Sequence, residues 1–206
     1  MIRVERQPEP AEFDKVVRQP GVAYLKRHPN PTSNQWKSHS YWLEIRPQLR
    51  KSYRGTCAYC CHWIPADTGA NTVEHFHPKD TYPKQAYEWS NYRLVSGTLN
   101  GRKGTREDIL DPFEVQNGWF VIDFPSLLVK PAQELPPGIA QSVQITIDVL
   151  RLNDEGTCLQ ARVAYVREYC LNEIDFSYLT KKAPFIALEL RRQDLVQSIK
   201  FVMHYP

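Results

Sequence analysis

The sequence predicts an α+β fold, a mainly helical chain that encloses a small ββα core, and three observations predict it. Apolar residues recur at helical spacing near the start of the chain and again through its last third. Between them, from Thr56 to Gly104, the chain is rich in Cys, His, Asn and aromatic residues and poor in long apolar runs. Gly97, Gly101 and Gly104 punctuate that middle stretch, the mark of short strands, loops and helix ends. Three regions follow: a helical region over 1–55, a core over 56–108, and a hairpin with C-terminal helices over 109–206.

In the first region Pro8 and Pro10 flank a start signal, and Phe13, Val16, Val17, Tyr24 and Leu25 sit at loosely helical spacing. A second helix is expected from Asn34 to Tyr53, carrying Trp36, Tyr41, Trp42, Ile45 and Leu49, with Pro47 bending or restarting it. A stripe of this kind is a core face. The middle region reads as a short strand or hairpin, a loop, and a turn into a helix near Asn100.

In the third region Trp119, Val121 and Phe124 follow Asn117-Gly118, a strong hairpin-turn signal. Pro131, Pro136, Pro137 and Gly138 mark a loop. The segment from Ala140 to Leu152 fits two periods. Val143, Ile145, Ile147 and Val149 alternate as in a strand, whereas Ala140, Val143, Ile147 and Leu150 share a helical face. The expectation is a helix capped by Asn153. Leu159, Val163, Val166, Cys170 and Ile174 repeat at spacings of three and four, an amphipathic helix. Leu188, Leu195, Ile199 and Val202 give a last one. These helices read as scaffold or partner surface.

Composition narrows the class. The 206 residues are 42% hydrophobic and 24% charged, so there is apolar surface to bury and global disorder is excluded. The formal charge of +3 leans only mildly towards polyanions. The five cysteines are odd in number in a chain too long to need stapling, which argues against a disulfide framework. No stretch reaches the roughly 18 apolar residues of a membrane span. The opening residues lack the apolar run of a signal peptide, and the cytoplasm is the expected location.

Chemistry concentrates in four pieces of the middle region: Cys57-Ala58-Tyr59-Cys60, Val73-Glu74-His75-Phe76-His77-Pro78-Lys79, Trp89-Ser90-Asn91, and Asn100-Gly101-Arg102-Lys103-Gly104. Each alone has a bland reading: a surface pair, a loop asparagine, a solvated helix end. As an ordered set they resemble the HNH, or ββα-metal, nuclease family over about Thr56 to Gly104. That resemblance implies Glu74 and Asn100 as metal ligands, His75 as general base, and Asn91 as the residue that orients it. It further implies endonuclease activity with Mg²⁺, for which Mn²⁺ would substitute. Phosphodiester hydrolysis suits these groups. A neutral imidazole, with an ordinary pKa of about 6.5, accepts a proton from water near neutral pH. Oxygen donors suit a hard cation that stabilises charge on a phosphate. Arg102 and Lys103 are candidate phosphate contacts. His77 and Lys79 are open between nucleic-acid contact and ordinary loop roles.

The pattern departs from the family at one place. Many members carry a second Cys-x-x-Cys pair that completes a structural zinc. Here its positions are Ser96 and Leu99, neither a zinc ligand. Structural zinc is therefore not expected, and Cys57 and Cys60 are read as a remnant pair of small buried thiols. Further motifs, Leu110 to Phe113 and Thr146 to Asn153, extend the resemblance to a narrower group, the PtuB subunits of Septu-type anti-phage systems. That group implies a partner ATPase of the ABC or structural-maintenance type (PtuA), and in retron versions a reverse transcriptase with its multicopy DNA-RNA. Its substrate would be DNA or, as for some defence effectors, tRNA. The competing reading is an HNH-fold adaptor that binds nucleic acid or assembles a complex without cutting.

Overall fold

The computed structural model describes residues 1–68 and 70–205. They form two compact units, each discontinuous in sequence. One joins Glu5–Cys57 to Ile64–Glu107; the other joins Met1–Val4 and Ala58–Trp63 to the chain from Asp108 onward. The helical region and most of the core, expected as separate regions, thus share one unit. Among the described residues no helix is long and apolar enough to cross a membrane.

The first unit opens with a π-helical turn, Asp14–Arg18, that runs directly into α1 (Gln19–Arg27). Phe13, Val17 and Tyr24 are buried, the stripe their spacing predicts. Gly21 lies where α1 meets Tyr87. A Cβ there would fall 2.2 Å from the Tyr87 ring, so only glycine permits this approach. The helix expected from Asn34 to Tyr53 is broken into α2 (Ser33–Ser38), a 3₁₀ turn at Tyr41–Leu43, and α3 (Arg46–Ser52). The reason is local. Thr32 and Gln35 form a capping box that starts α2. The Ser38 and Ser40 hydroxyls then donate to Asn34 O and Trp36 O, competing for the carbonyls that would continue it. Pro47 sits in the first turn of α3, where it restarts a helix without losing a hydrogen bond.

The ββα core follows. β1 (Asn71–His75) pairs antiparallel with β2 (Tyr92–Ser96), so that Glu74 faces Arg93 and His75 faces Tyr92. The strands are joined through a long irregular loop, and β2 passes straight into α4 (Gly97–Lys103), ended by Gly104 at φ +52°. Side chains alternate along a strand. Thr72 and Glu74 therefore point towards α4, while Val73 and His75 point to the other face. On that other face Tyr92 and Leu94 are buried, and Phe13 meets Trp89 and Tyr92 edge-on at 5.7 Å.

The second unit is built on a hairpin of β3 (Phe120–Asp123) and β4 (Leu128–Pro131) with helices α5 (Pro137–Leu150), α6 (Gln160–Cys170), α7 (Phe176–Lys182), α8 (Pro184–Arg192) and α9 (Ile199–Val202). The hairpin turns between Asp123 and Leu128, not at Asn117-Gly118, which precede β3; Leu127 takes the left-handed conformation there. The stretch from Ala140 is helical, as expected. Its cap is the left-handed Arg151 rather than Asn153, whose side chain instead pairs with both backbone groups of Val129 on β4. The last expected helix is interrupted between Arg192 and Ile199. Glu189, fully buried on α8, accepts from the Ile122 amide and from Arg192, tying α8 to β3.

Candidate active site

His75 closes β1. Its Nε2 donates to the Ala86 carbonyl at 2.9 Å, and the Tyr92 hydroxyl donates to the same oxygen at 2.8 Å. In that tautomer Nδ1 is the unprotonated, proton-accepting nitrogen. Trp42 and Tyr92 approach the ring edge-on at 4.7 and 5.2 Å. The residue keeps some solvent-exposed surface, but the imidazole is enclosed by these neighbours. Burial holds its pKa down at about 3, and the charges of Lys79 and Lys103 push the same way. His75 is accordingly neutral at physiological pH, the form a general base requires.

Asn91 is buried and makes three hydrogen bonds to the loop around His75. Its Oδ1 accepts from the His77 amide at 2.8 Å. Its Nδ2 donates to the carbonyls of His77 and Gln85, both at 3.0 Å. It thus clamps the chain just after His75 to the residue just before Ala86, the carbonyl that holds the imidazole. The ring is fixed through the backbone and not by direct contact.

The other face of the hairpin carries Glu74, 1% exposed, and Lys103, fully buried, joined at 2.8 Å. Lys103 Nζ also donates to the His75 carbonyl at 3.1 Å. One turn back on α4, Asn100 donates to the Thr72 hydroxyl at 3.0 Å. Glu74 and Asn100 therefore occupy the same β1–α4 layer, whereas His75 leaves the opposite side. Lys103, expected to meet phosphate, is instead an internal counter-ion, because α4 carries it over the strand and not into solvent. His77 is exposed, with Phe76 and Tyr82 beside its ring. Lys79 is partly exposed and lies 3.8 Å from Asp80; Arg102 is partly exposed on α4.

Three participants lie outside the motifs read from sequence. Trp42 encloses the imidazole, Ala86 offers the carbonyl, and buried Arg93 stands opposite Glu74, its guanidinium 5.1 Å from the Phe76 ring. Arg93 follows Asn91 by two residues, but only the pairing of β1 with β2 places it beside the carboxylate. The carbonyl has no side-chain signature at all.

Among the described residues, no group of three or more His, Cys, Asp or Glu side chains is placed to hold a metal ion. One carboxylate and one amide oxygen suit a hard cation that keeps most of its waters and takes further oxygens from a phosphate. They do not suit a closed tetrahedral zinc. The cation would have to share Glu74 with the Lys103 ammonium. Cys57 is buried and Cys60 partly exposed, both as thiols. Ser96 ends β2, and Leu99 is buried in α4.

A short antiparallel hairpin leading into a helix, with an acid-histidine pair closing the first strand, is the ββα arrangement the motifs anticipated. No protein-family model matches the chain. The chain is similar to Septu protein PtuB of Bacillus thuringiensis, 32% identical over 113 residues. The match covers 53% of this chain and 41% of that protein, a partial and distant relationship.

Proposed function

We propose that this chain is the HNH-type nuclease component of a Septu-like defence system, and that it hydrolyses phosphodiester bonds of DNA or tRNA. The observation that carries this reading is His75: a neutral imidazole, anchored at Nε2, with Nδ1 left basic at the end of a strand that a buried asparagine holds in place. Similarity to Septu protein PtuB supports the defence setting and a partner ATPase of the PtuA kind. A retron reverse transcriptase and its multicopy DNA-RNA belong to the same proposal.

In this reading Nδ1 of His75 takes the proton from the attacking water. A base of pKa about 3 is a weak acceptor; the approach of an anionic phosphate raises it towards the working range. Lys79, partly exposed and near enough to act on His75, draws the phosphate to that face. Asn91 holds the loop so that the ring does not turn away. Glu74 and Asn100, on the other face of β1 from His75, are the residues that would hold a Mg²⁺ or Mn²⁺ ion, whose chemistry when bound would be that of a Lewis acid.

A specific observation favours a second reading, an adaptor that binds without cutting. The Glu74 carboxylate is already paired with Lys103, away from His75. Purified chain, alone and with its ATPase, separates the two when incubated with plasmid DNA and total tRNA in Mg²⁺ or Mn²⁺. Cutting that His75→Ala abolishes supports the nuclease. Absence of cutting even with the ATPase present makes the adaptor the better reading.

A further inference from the structure

Asn91 and Tyr92, adjacent at the entry to β2, grip two successive carbonyls of the loop that joins the strands. The Asn91 amide donates to Gln85 O at 3.0 Å, and the Tyr92 hydroxyl donates to Ala86 O at 2.8 Å. Asn91 belongs to the motifs read from sequence; Tyr92 does not. Ala86 O is also the acceptor of the His75 imidazole, at 2.9 Å. A carbonyl oxygen has two lone pairs, so these two side-chain donors fill it. The strand register explains why they converge. His75 and Tyr92 are partners across β1 and β2, and such partners leave the same face of the hairpin. Their rings meet edge-on, with centroids 5.2 Å apart. The Ala86 carbonyl itself lies outside the sheet, just past a single 3₁₀ turn, Pro83–Gln85. Its direction is therefore set by what donates to it. Tyr92 is fully buried, and burial pushes the pKa of its hydroxyl well up, so the donor keeps its proton.

We infer that Tyr92 is a positioning residue for His75. Its hydroxyl fixes the Ala86 carbonyl, and that carbonyl fixes the imidazole with Nε2–H turned inward and Nδ1 turned to the reacting water. Asn91 holds the peptide before, and Tyr92 holds the peptide that touches the ring. Without the hydroxyl one lone pair of a buried carbonyl is left open, and the Ala86 peptide turns towards another donor. The ring follows, and Nδ1 moves out of line with the water it must deprotonate. Misplacing a base in this way slows the chemical step without weakening substrate binding. The inference rests on the nuclease reading for the water, but the hold of Tyr92 on the ring needs no cleavage.

The test is nuclear magnetic resonance of the full chain with isotope-labelled histidine, on the unaltered protein and on Tyr92→Phe. In the unaltered protein His75 should show a single tautomer, protonated at Nε2. That proton should give a nuclear Overhauser contact to the Tyr92 hydroxyl proton, since both point at one oxygen. In Tyr92→Phe the Nε2 proton should exchange with water about tenfold faster, while the backbone amide spectrum is kept elsewhere. Tyr169→Phe removes a tyrosine–carbonyl bond of 2.9 Å to Val196 in the second unit and should leave that exchange unchanged. On plasmid DNA or total tRNA in Mn²⁺, Tyr92→Phe should lower kcat about tenfold and leave KM unchanged. A His75 ring protonated at Nδ1, or no Overhauser contact to Tyr92, overturns the inference in the unaltered protein, whatever the fate of the variant. Unchanged exchange in Tyr92→Phe also overturns it, as does faster exchange with unchanged kcat. Faster exchange in a chain that cuts no nucleic acid leaves Tyr92 as the hold on the ring and removes the nuclease reading.

Discussion

Two side chains adjacent in sequence, Glu74 and His75, live in opposite electrostatic worlds. His75 is enclosed among rings and a carbonyl and is kept neutral; Glu74 is enclosed against the Lys103 ammonium. For His75 the consequence is a displaced acid limb. The pH profile of kcat/KM, which reports the free protein, should show no His75 limb near 6.5 and should fall only well below pH 5. The limb in kcat should lie higher, because bound phosphate favours the imidazolium. A kcat/KM limb at 6.5 would mean the ring is solvated. For Glu74 the test is stability. Lys103→Met removes the ammonium 2.8 Å from the buried Glu74 carboxylate and should cost about 3–5 kcal/mol in urea unfolding. The double change Glu74→Leu with Lys103→Met should recover most of it. Glu74, His75, Asn91 and Asn100 were singled out by the ordered motifs and the family those motifs resemble. The pairing of Lys103 with Glu74 was not, because a lysine three residues past Asn100 reads equally well as a solvated helix end.

Elements transmit these residue-level arrangements. Gly21 on α1 admits Tyr87, whose hydroxyl donates to the His39 carbonyl and whose ring lies 5.8 Å from Trp42, the neighbour of His75. Gly21→Ala would be mildly stabilising in an exposed helix. Here it should cost about 1–3 kcal/mol by overpacking and should lower activity as Trp42 shifts; a raised melting temperature would refute the tight approach. Asn91→Ala should likewise reduce both stability and turnover, because three loop hydrogen bonds vanish at once; unchanged turnover at a lower melting temperature would confine Asn91 to scaffolding. At this scale periodicity found α1 and the helix from Pro137, where the apolar stripe is long. It failed where serine side chains intercept backbone carbonyls after α2, and where the hairpin turn used Leu127 in place of a glycine. Such turns are decided by surrounding packing, which one sequence does not display.

For the whole molecule, buried histidines set the response to acid. His62, like His75, is held neutral by burial, at a pKa of about 3. Both folded values lie below the ordinary 6.5 of an unfolded chain, so below that pH the unfolded state binds more protons. Stability contributed by the neutral rings is intact above about 6.5 and is lost progressively as pH falls towards 3. Urea midpoints should therefore drop steeply between pH 7 and pH 4.5, and His62→Gln should flatten the drop; a midpoint indifferent to pH would contradict the burial of both rings. The α+β class was readable from composition and period. The weaving of the chain was not, since the short segments Met1–Val4 and Ala58–Trp63 join a unit otherwise made from Asp108 onward. That weaving has a consequence for synthesis. As the chain emerges from its N-terminal end at about 5–20 residues per second, everything belonging to the unit with the candidate site has left the ribosome once Glu107 has. The segment Ala58–Trp63, next to Ile64 in sequence but not in its unit, must then wait for helices still being made. The newborn protein can finish its chemistry-bearing half first, and carries a short apolar segment in need of shelter until the second half arrives.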